Sequence, residues 1–489
     1  MTGVVTARIP RRPLLWPDML ADVREALPDS AEAVYIVGGA VRDAWLHRPF
    51  QDIDLGVSGN AVRLAREIAN RLHGDFFVLD AERDVGRVLL DTPEGRLILD
   101  VAHLRGETLE ADLRDRDFTV NAMAVDLRGD FALLIDPLGG ETDLTEKRLR
   151  RCSPDSLTSD PIRAMRAVRQ SIQFGLRIEA ETLADVRKSV SALVEVSPER
   201  LRDEVFKLLS LPRPAAALRV ADQLGMLSSV FPELGRLREV EIGPRPAKNA
   251  WSHTLDVVEA LSGMLAVIGY GRTDNAAASF GLGMMAIQLD RFRPQLVRHI
   301  EQVWPNDRPH RALLMLAGLL HEVGRVGESG SEATTVRVVD GYAVALRLSN
   351  SERERLVAAV RWLDAPLRML DDSPRSIYRF WRQTGEAGVD VCLLTLADQM
   401  AGLGSDLDQD GWLQVVDRMR GLLEAYFLHF DTVVSPPTLV DGGDIMRHLR
   451  LKPGRVIGEL LESIREAQAV GEVRTAEEAL RFAAHLLEG

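Results

Sequence analysis

The sequence predicts a multi-domain α+β protein in which a small α/β head is followed by a long all-helical body. At about 150 residues per domain, a length of 489 residues corresponds to roughly three domains. Short strand-like runs alternate with a helical pattern between residues 34 and 135. After about residue 155, apolar residues recur at spacings of three and four, which is typical of helices.

The elements of the head follow in chain order. The runs VYIV and DIDLGV are the first two predicted strands. NAVRLAREIANRLHG is the next helix, with Asn60 at its N-cap position and Gly74 at its end. The remaining strand candidates are FFVL, RVLL, LILDVA, FTVNAMAVDL and FALLI.

The body is predicted to be helical throughout. Its first helices are DPIRAMRAVRQSIQFG, AETLADVRKSVSALVEV, PERLRDEVFKLL and RPAAALRVADQLG. Proline- and glycine-containing stretches mark weak boundaries near Pro154, at 243–246 and at 435–437.

Composition excludes several classes of protein. A hydrophobic content of 46% and a charged content of 27% are ordinary for a globular protein. The two cysteines, Cys152 and Cys392, are too few for a disulfide framework or a cysteine-rich zinc site. The N-terminus lacks the apolar core of a secretion signal, and no run of about 18 apolar residues is present. We therefore expect a cytoplasmic enzyme with no membrane span.

The net charge of −13 argues against a surface covered with non-specific nucleic-acid contacts. One segment differs from the rest of the chain. Residues 145–177 contain eight basic and three acidic residues, an excess of five positive charges in an acidic protein.

Two aspartates in the second predicted strand indicate a metal site. Asp52 and Asp54 are two residues apart, so their side chains project from the same face of the strand. Adjacent carboxylates repel one another unless a cation lies between them. Mg²⁺ prefers one or two carboxylates together with substrate phosphates, and it is the cofactor that we expect here.

A glycine turn precedes this strand. Gly38 and Gly39 would let the backbone approach an anion closely and expose its N–H groups, and Arg42 could reach the same phosphates. A pair of glycines alone is usually a tight turn, and two alternating aspartates alone are usually solvated acids. The two motifs about a dozen residues apart favour a phosphate and metal site instead.

These motifs resemble a known family. VGGAVRD followed by DIDL is similar to the head motif of the class II tRNA nucleotidyltransferases and bacterial poly(A) polymerases, which belong to the polymerase-β-like nucleotidyltransferases. Four later blocks agree in order: DLRDRDFTVNAMA at 112–124, DPLGGETDL at 136–144, DPIRAMRAVR at 160–169 and SPERLRDEVFKLL at 197–209.

The resemblance implies Mg²⁺-dependent, template-independent addition of CTP and ATP to the 3′ end of tRNA. It makes Asp52 and Asp54 the catalytic metal ligands, and it implies base recognition by Asp160 and Arg163. The nucleotide-binding set that it implies is Gly38, Gly39, Arg42, Arg116, Asp117, Asp160, Arg163, Arg166 and Arg169, with Arg116 and Asp117 at the ribose. Two positions depart from the family pattern: Asp115 replaces an arginine, and Ser159 replaces the usual acid.

The resemblance also implies a division into four parts. These are a palm-like nucleotidyltransferase head (1–150), a helical neck for nucleotide and RNA binding (151–240), a degenerate HD-type helical domain (241–405) and a helical tail (406–489). The arginines of 145–177 would hold the RNA.

The HD-type domain is predicted from WSHTLDVVEAL, LAGLLHEVGR and LTLADQMAG, which supply His253, His321 and Asp398. The family's His-Asp pair is His321-Glu322 here, and residues 335–366 contain no histidine. We expect the helical domain to persist with impaired metal chemistry. A residual metal on His253, His321 and Asp398 is the alternative.

Three other readings remain open. The chain could be an A-adding enzyme or a poly(A) polymerase, a metal phosphohydrolase acting through its helical domain, or an RNA-binding protein with an inactive head. Asp100, on a later predicted strand, is either a third carboxylate beside the metal or a structural residue. The oligomeric state is not predicted.

Overall fold

The computed structural model describes residues 6–29, 33–93, 95–242, 248–269, 280–326, 331–403 and 408–488. The chain forms two compact units, Met1–Val196 and Ser197–Gly489. The boundary predicted at 243–246 lies outside the described residues. The division into four parts stays a prediction.

The first unit is built on a six-stranded sheet. Its strands are β1 (Val34–Val37), β2 (Asp52–Val57), β3 (Asp75–Asp80), β4 (Val85–Thr92), β5 (Gly95–His103) and β6 (Ala124–Asp126). They lie in the order β3-β4-β5-β2-β1-β6. Only β2 and β5 pair in parallel, and this pairing places Asp54 opposite Asp100.

Helices surround this sheet. They are α1 (Met19–Glu25), α2 (Gly39–Leu46), α3 (Ala61–Leu72), α4 (Leu109–Arg114), α5 (Gly140–Thr145), α6 (Ile162–Phe174) and α7 (Ala180–Ser189), with a small parallel pair of strands, β7 (Arg148–Leu149) and β8 (Arg177–Ile178). The predicted start of α3 is confirmed, because the Asn60 side chain accepts a hydrogen bond from the backbone N–H of Arg63 at 2.7 Å. The helix ends at His73, which adopts the left-handed conformation one residue before the expected Gly74.

Two strand predictions are wrong in part. Of FTVNAMAVDL, only Ala124–Asp126 is a strand, and Thr119–Asn121 is a turn of 3₁₀ helix. Hydrogen bonds to acidic side chains stabilise that turn, since the Phe118 N–H donates to Asp117 Oδ1 at 2.8 Å and the Thr119 hydroxyl donates to Asp143 Oδ2 at 2.6 Å. In FALLI, residues 134 and 135 form isolated bridges only.

The second unit is almost entirely helical, so the predicted fold class is confirmed. Its helices are α8 (Pro198–Leu209), α9 (Pro214–Gln223), α10 (Met226–Val230), α11 (Pro232–Arg236), α12 (Ala250–Ile268), α13 (Phe280–Leu289), α14 (Arg293–Ile300), α15 (His310–Leu320), α16 (Glu332–Ala345), α17 (Asn350–Arg361), α18 (Pro374–Thr384), α19 (Gly388–Leu403), α20 (Gln409–Leu428), α21 (Gly442–Leu449), α22 (Arg455–Ala469) and α23 (Ala476–Glu488). Two-residue strands form the pairs β9 (Glu241–Ile242) with β10 (Lys248–Asn249), and β11 (Val303–Trp304) with β12 (Arg308–Pro309).

Helices α12, α15 and α19 form a central layer of the second unit. A Cβ at Gly318 of α15 would lie 3.5 Å from Leu261 of α12 and 3.6 Å from Leu394 of α19, which are ordinary packing distances, so the three helices are in contact at this point. None of the helices within the described ranges is both long and apolar enough to cross a bilayer.

Candidate active site

The two predicted metal ligands lie together at the beginning of β2. Asp52 and Asp54 are exposed and share one face of the strand, while Ile53 and Leu55 are buried on the opposite face. The alternation follows from the period of two in a strand, so the hydrophobic residues anchor the strand and the acids face solvent. The predicted geometry of this pair is therefore present.

The electrostatic environment of Asp54 favours a bound cation. Partial desolvation raises its pKa above the ordinary value, and the neighbouring carboxylates of Asp100 and Asp52 raise it further. Arg116 and Arg166 oppose these effects but do not cancel them. Excess negative charge at a cluster of oxygen ligands is the condition in which a hard divalent cation binds well.

Asp100 is paired with an arginine in this structure. Arg87 on β4 binds it through two parallel hydrogen bonds, Nε to Oδ1 at 2.7 Å and Nη2 to Oδ2 at 2.8 Å. Such a bidentate pair holds both carboxylate oxygens. Of the two readings left open for Asp100, this geometry favours the structural one.

The glycine turn brings the phosphate and metal motifs together. Gly38 has φ +80°, and a Cβ atom there would lie 2.7 Å from Arg116 Nη1 and 3.3 Å from Asp54 Oδ2. Because glycine has no side chain, a small space remains between the guanidinium of Arg116 and the carboxylate of Asp54. Arg116 is held in place by Asp112, whose Oδ2 accepts from Nε at 2.9 Å.

Arg42 does not point towards this space. Its guanidinium donates to Asn121 Oδ1, forms two hydrogen bonds with Asp43, and lies 4.1 Å from the ring centroid of Phe174. These partners bury the arginine side chain, so a phosphate contact would require it to leave them. Its predicted role at the phosphates stays a prediction. Gly39 precedes it in the same turn, and a Cβ there would lie 3.3 Å from Arg42 Nη2.

Asp117 is buried directly behind the turn that carries Arg116. Burial alone would raise its pKa, but Arg166, the Asn121 amide and the Phe118 N–H stabilise the charged form and hold the pKa below its ordinary value. Arg166 Nη1 lies 3.3 Å from Asp117 Oδ2. Oδ2 has no hydrogen-bond partner among the described residues, so the site contains an ionised carboxylate with one oxygen available to a donor.

Arg163 is held by backbone carbonyls. Its Nη2 donates to the carbonyl oxygen of Asp115 at 2.8 Å, and its Nη1 donates to those of Arg116 at 3.2 Å and Ser156 at 3.0 Å. These contacts fix the arginine although Ser159 replaces the usual acid of the family. The Nε atom lies 3.6 Å from Asp160 Oδ2, so the predicted pair is adjacent but not hydrogen-bonded.

Other arginines of this region make contacts within the unit. Arg169, further along α6, donates to Gln173 at 3.0 Å. In the basic segment 145–177, Arg148 and Arg150 both bind Asp143, at 2.6 Å and 2.9 Å. Arg151 pairs with Glu181 and Asp185. Much of the positive charge of the segment is therefore paired inside the unit, and the role of its arginines in holding RNA stays a prediction.

Two residues of the site were missed in the sequence. Asp112 is four residues before its partner Arg116, a spacing at which oppositely charged side chains pair on a helix. Asn121 connects Arg42 to Asp117, and no spacing rule indicates it.

In the second unit, the residues of the predicted residual metal site converge. The ligand atoms of His253, His321, Glu322 and Asp398, here called the His253 cluster, lie within 4.8 Å of one another. His321 Nδ1 donates to the Gly318 carbonyl at 2.8 Å, which leaves a lone pair on Nε2. That Nε2 is buried without a hydrogen-bond partner in the described part of the chain.

The charges around His321 fit a cation. Its Nε2 lies 3.6 Å from both Asp398 Oδ1 and Glu322 Oε1. Burial would lower the pKa of this imidazole, but the two carboxylates outweigh burial and raise it. Glu322 therefore supplies a carboxylate at the position of the family's aspartate, and both the residual metal and the impaired chemistry stay predictions.

A second histidine cluster of this unit does not fit a metal. Nε2 of His299 and Nε2 of His310 lie 2.7 Å and 2.8 Å from Asp390 Oδ1. Trp304 Nε1, which can only donate, lies 3.1 Å from His310 Nδ1. His310 therefore accepts at Nδ1 and carries its proton at Nε2, where a metal would need a lone pair. The cluster is a hydrogen-bond network that satisfies a buried aspartate.

Comparison with known proteins gives consistent matches. Residues 34–150 match the family described as Poly A polymerase head domain, and residues 175–237 match the Probable RNA and SrmB- binding site of polymerase A. A CC-adding tRNA nucleotidyltransferase of Geobacter sulfurreducens is 34% identical over 450 residues, which is 92% of this chain and 91% of that protein. An A-adding tRNA nucleotidyltransferase of Deinococcus radiodurans is 31% identical over 481 residues, with 94% and 96% covered. The solved structure of the Thermotoga maritima CCA-adding enzyme complexed with tRNA-CCA is 25% identical with a TM-score of 0.53, and the match covers 97% of this chain and 96% of that one.

Proposed function

The chain belongs to the tRNA nucleotidyltransferase family, and from this premise we propose that it adds CTP and ATP to the 3′ end of tRNA to complete the CCA sequence. One observation carries the proposal. Gly38, Asp54 and Arg116 meet at one point of the first unit, and the same turn that carries Arg116 also fixes Arg163 through its carbonyl oxygens. The groups proposed for the metal, the phosphates and the base are therefore parts of one rigid assembly.

Asp52 and Asp54 are the proposed ligands for Mg²⁺. The fit rests on their chemistry, since both are exposed carboxylates on one strand face and Mg²⁺ prefers oxygen ligands. The bound ion would activate the primer 3′-hydroxyl and neutralise charge on the triphosphate. Arg116, anchored by Asp112, would add a fixed positive charge beside the transferring phosphate.

Two groups of side chains would recognise the nucleotide, one at the ribose and one at the base. Asp117 Oδ2 is an ionised, buried acceptor without a hydrogen-bond partner in the described part of the chain, and a ribose hydroxyl is a suitable donor to it. Asp160 and Arg163 would present an acceptor and a donor to the Watson–Crick edge of cytosine or adenine. Because Arg163 is held by three carbonyls, its guanidinium is oriented before the nucleotide binds.

A nucleotide-by-nucleotide extension assay tests the proposal. tRNAs that end before CCA, after the first C and after the second C are incubated with CTP alone or ATP alone. CCA addition requires CTP incorporation on the first two substrates and ATP incorporation on the third. Incorporation of CTP only would assign the chain to CC addition, and incorporation of ATP only would assign it to A addition. Repeated ATP addition to a finished CCA end would indicate a poly(A) polymerase.

A second activity is proposed for the His253 cluster, which we infer to bind a divalent metal and to support phosphohydrolase chemistry. The supporting observation is the buried Nε2 lone pair of His321, which faces two carboxylates. Metal content and hydrolysis of 2′,3′-cyclic phosphates and phosphomonoesters are measured for the wild type and for His321→Ala. His299→Gln is the matched control, because it alters the histidine network that does not fit a metal. Equal metal content in wild type and His321→Ala would reject the site.

A further inference from the structure

Asn121 lies at the centre of a buried hydrogen-bond network beneath the proposed nucleotide site. Its Oδ1 accepts from Arg42 Nη1, and its Nδ2 donates to Asp117 Oδ1 at 2.8 Å and to Gln170 Oε1 at 3.0 Å. Arginine can only donate and an ionised carboxylate can only accept, so these partners fix which way the amide faces. Only 6% of Asn121 is exposed, and the contacts are therefore not exchanged for water.

The network determines which oxygen of Asp117 remains available. Oδ1 accepts both the Phe118 N–H and the Asn121 amide, each at 2.8 Å. Oδ2 has no hydrogen-bond partner among the described residues, and Arg166 Nη1 lies 3.3 Å from it. The two bonds to Oδ1 hold the plane of the carboxylate, so that Oδ2 is the oxygen left to accept from a ligand.

Asn121 also ties three segments together. Arg42 lies on α2 behind the glycine turn, Asp117 precedes the 3₁₀ turn, and Gln170 lies on α6 with the proposed base-reading arginine. A small side chain at position 121 would remove one hydrogen-bond partner from an arginine donor and from two oxygen acceptors at once. The loss of hydrogen bonds between buried polar groups is costly, so the relative position of the three segments depends on Asn121.

We infer that Asn121 is a positioning residue for ribonucleotide selectivity. The inference rests on the proposed function, in which Asp117 Oδ2 accepts a hydrogen bond from the ribose. Asn121 does not contact the nucleotide. It orients Asp117 so that a nucleotide with a 2′-hydroxyl gains a hydrogen bond to the buried Oδ2, and a deoxynucleotide does not.

The test compares kcat/KM for CTP with that for dCTP on a tRNA that lacks CCA. We expect Asn121→Ala and Asn121→Asp to lower the CTP-to-dCTP ratio about tenfold or more. Asn121→Asp is nearly isosteric and keeps the acceptor for Arg42, but it places a carboxylate oxygen where the amide donates to Asp117. The matched control is Asn60→Ala, which removes the cap of α3 in the same unit. It should lower stability and leave the ratio unchanged.

The possible results distinguish a failure of the proposed ribose contact of Asp117 from a failure of the role inferred for Asn121. A wild-type enzyme that uses CTP and dCTP equally well would reject the proposed role of Asp117 at the ribose. A wild-type preference that persists in both Asn121 variants would reject the role of Asn121 alone. An equal fall of both kcat/KM values would assign Asn121 a merely structural role and also overturn the inference. If Asn121→Ala fails to fold, Asn121→Asp decides.

Discussion

Substitution of Gly38 by alanine should damage both stability and catalysis. Its backbone has φ 80° and ψ −134°, a region that is almost restricted to glycine, so an L-side chain costs about 1–3 kcal/mol in strain. The new Cβ would also lie 2.7 Å from Arg116 Nη1, closer than real contacts allow. Arg116 would have to shift from its position on Asp112. We expect the free energy of unfolding to fall by about 2–4 kcal/mol in total.

The catalytic effect follows from the displaced guanidinium. A misplacement of about 1 Å at a reacting centre can reduce the rate about a hundredfold, so we expect a loss of this size in kcat for CTP addition. Denaturant unfolding and single-turnover extension measure the two effects. Gly59→Ala is the matched control, because a Cβ there would meet no atom of the described residues within 4 Å apart from its chain neighbours, and its φ is not positive. Wild-type kcat in Gly38→Ala would refute the placement of Arg116 at the phosphates, and wild-type stability would refute the strain argument.

Three further predictions address other parts of the chain. Asp54→Asn should reduce nucleotide transfer at least about a thousandfold, because it removes a proposed metal ligand. Calorimetry should show that its thermal stability is unchanged or slightly increased, because the variant relieves carboxylate repulsion. A destabilised variant would contradict this reasoning. Glu352→Gln breaks a buried pair with Arg308 and should cost about 3 kcal/mol at pH 7 by denaturant unfolding. Although burial acts to raise the pKa of Glu352, Arg308 and Ser349 lower it on folding. Its contribution is therefore present at neutral pH and decreases as the pH falls below about 4, and a stability gap between wild type and variant that widens towards acid pH would refute this sign. Arg163→Lys should relax the choice of base about tenfold or more in extension assays with all four nucleotides. The reason is that an ammonium group cannot bind three carbonyls in the geometry of the guanidinium. The control is Arg187→Lys at an exposed position, which should behave as wild type.

Much of the fold followed from local patterns. The alternation in DIDLGV predicted β2, and the apolar stripe after Asn60 predicted α3, because burial of one face is recorded in the periodicity of the sequence. The segment 118–127 was predicted less well. Its apolar residues are all buried, but side-chain hydrogen bonds to Asp117 and Asp143 turn the chain, and such bonds leave no periodic signal.

The candidate site, like the fold, could be predicted only in part from the sequence. Asp52 and Asp54 could be placed together from their spacing alone, since the strand fixes their common face. The burial of Arg42 could not be foreseen, because its partner Asn121 is 79 residues away along the chain. The contacts of Arg163 could not be predicted either. Backbone carbonyls hold this arginine without an acid at position 159, and because every residue has a backbone carbonyl, the sequence does not show which of them accept its hydrogen bonds.

The pairing of Arg87 with Asp100 sets how many negative charges an ion at this site would meet. Asp54 and Asp100 are opposite each other on neighbouring parallel strands, so their carboxylates share one face. Arg87 cancels one of the three charges before any ion arrives. A neutral residue at position 87 would turn a two-acid site into a three-acid site without altering the strand that carries the catalytic pair. The affinity of the proposed site for divalent ions would therefore be set in part from β4, which is separated by β5 from the strand that carries Asp52 and Asp54.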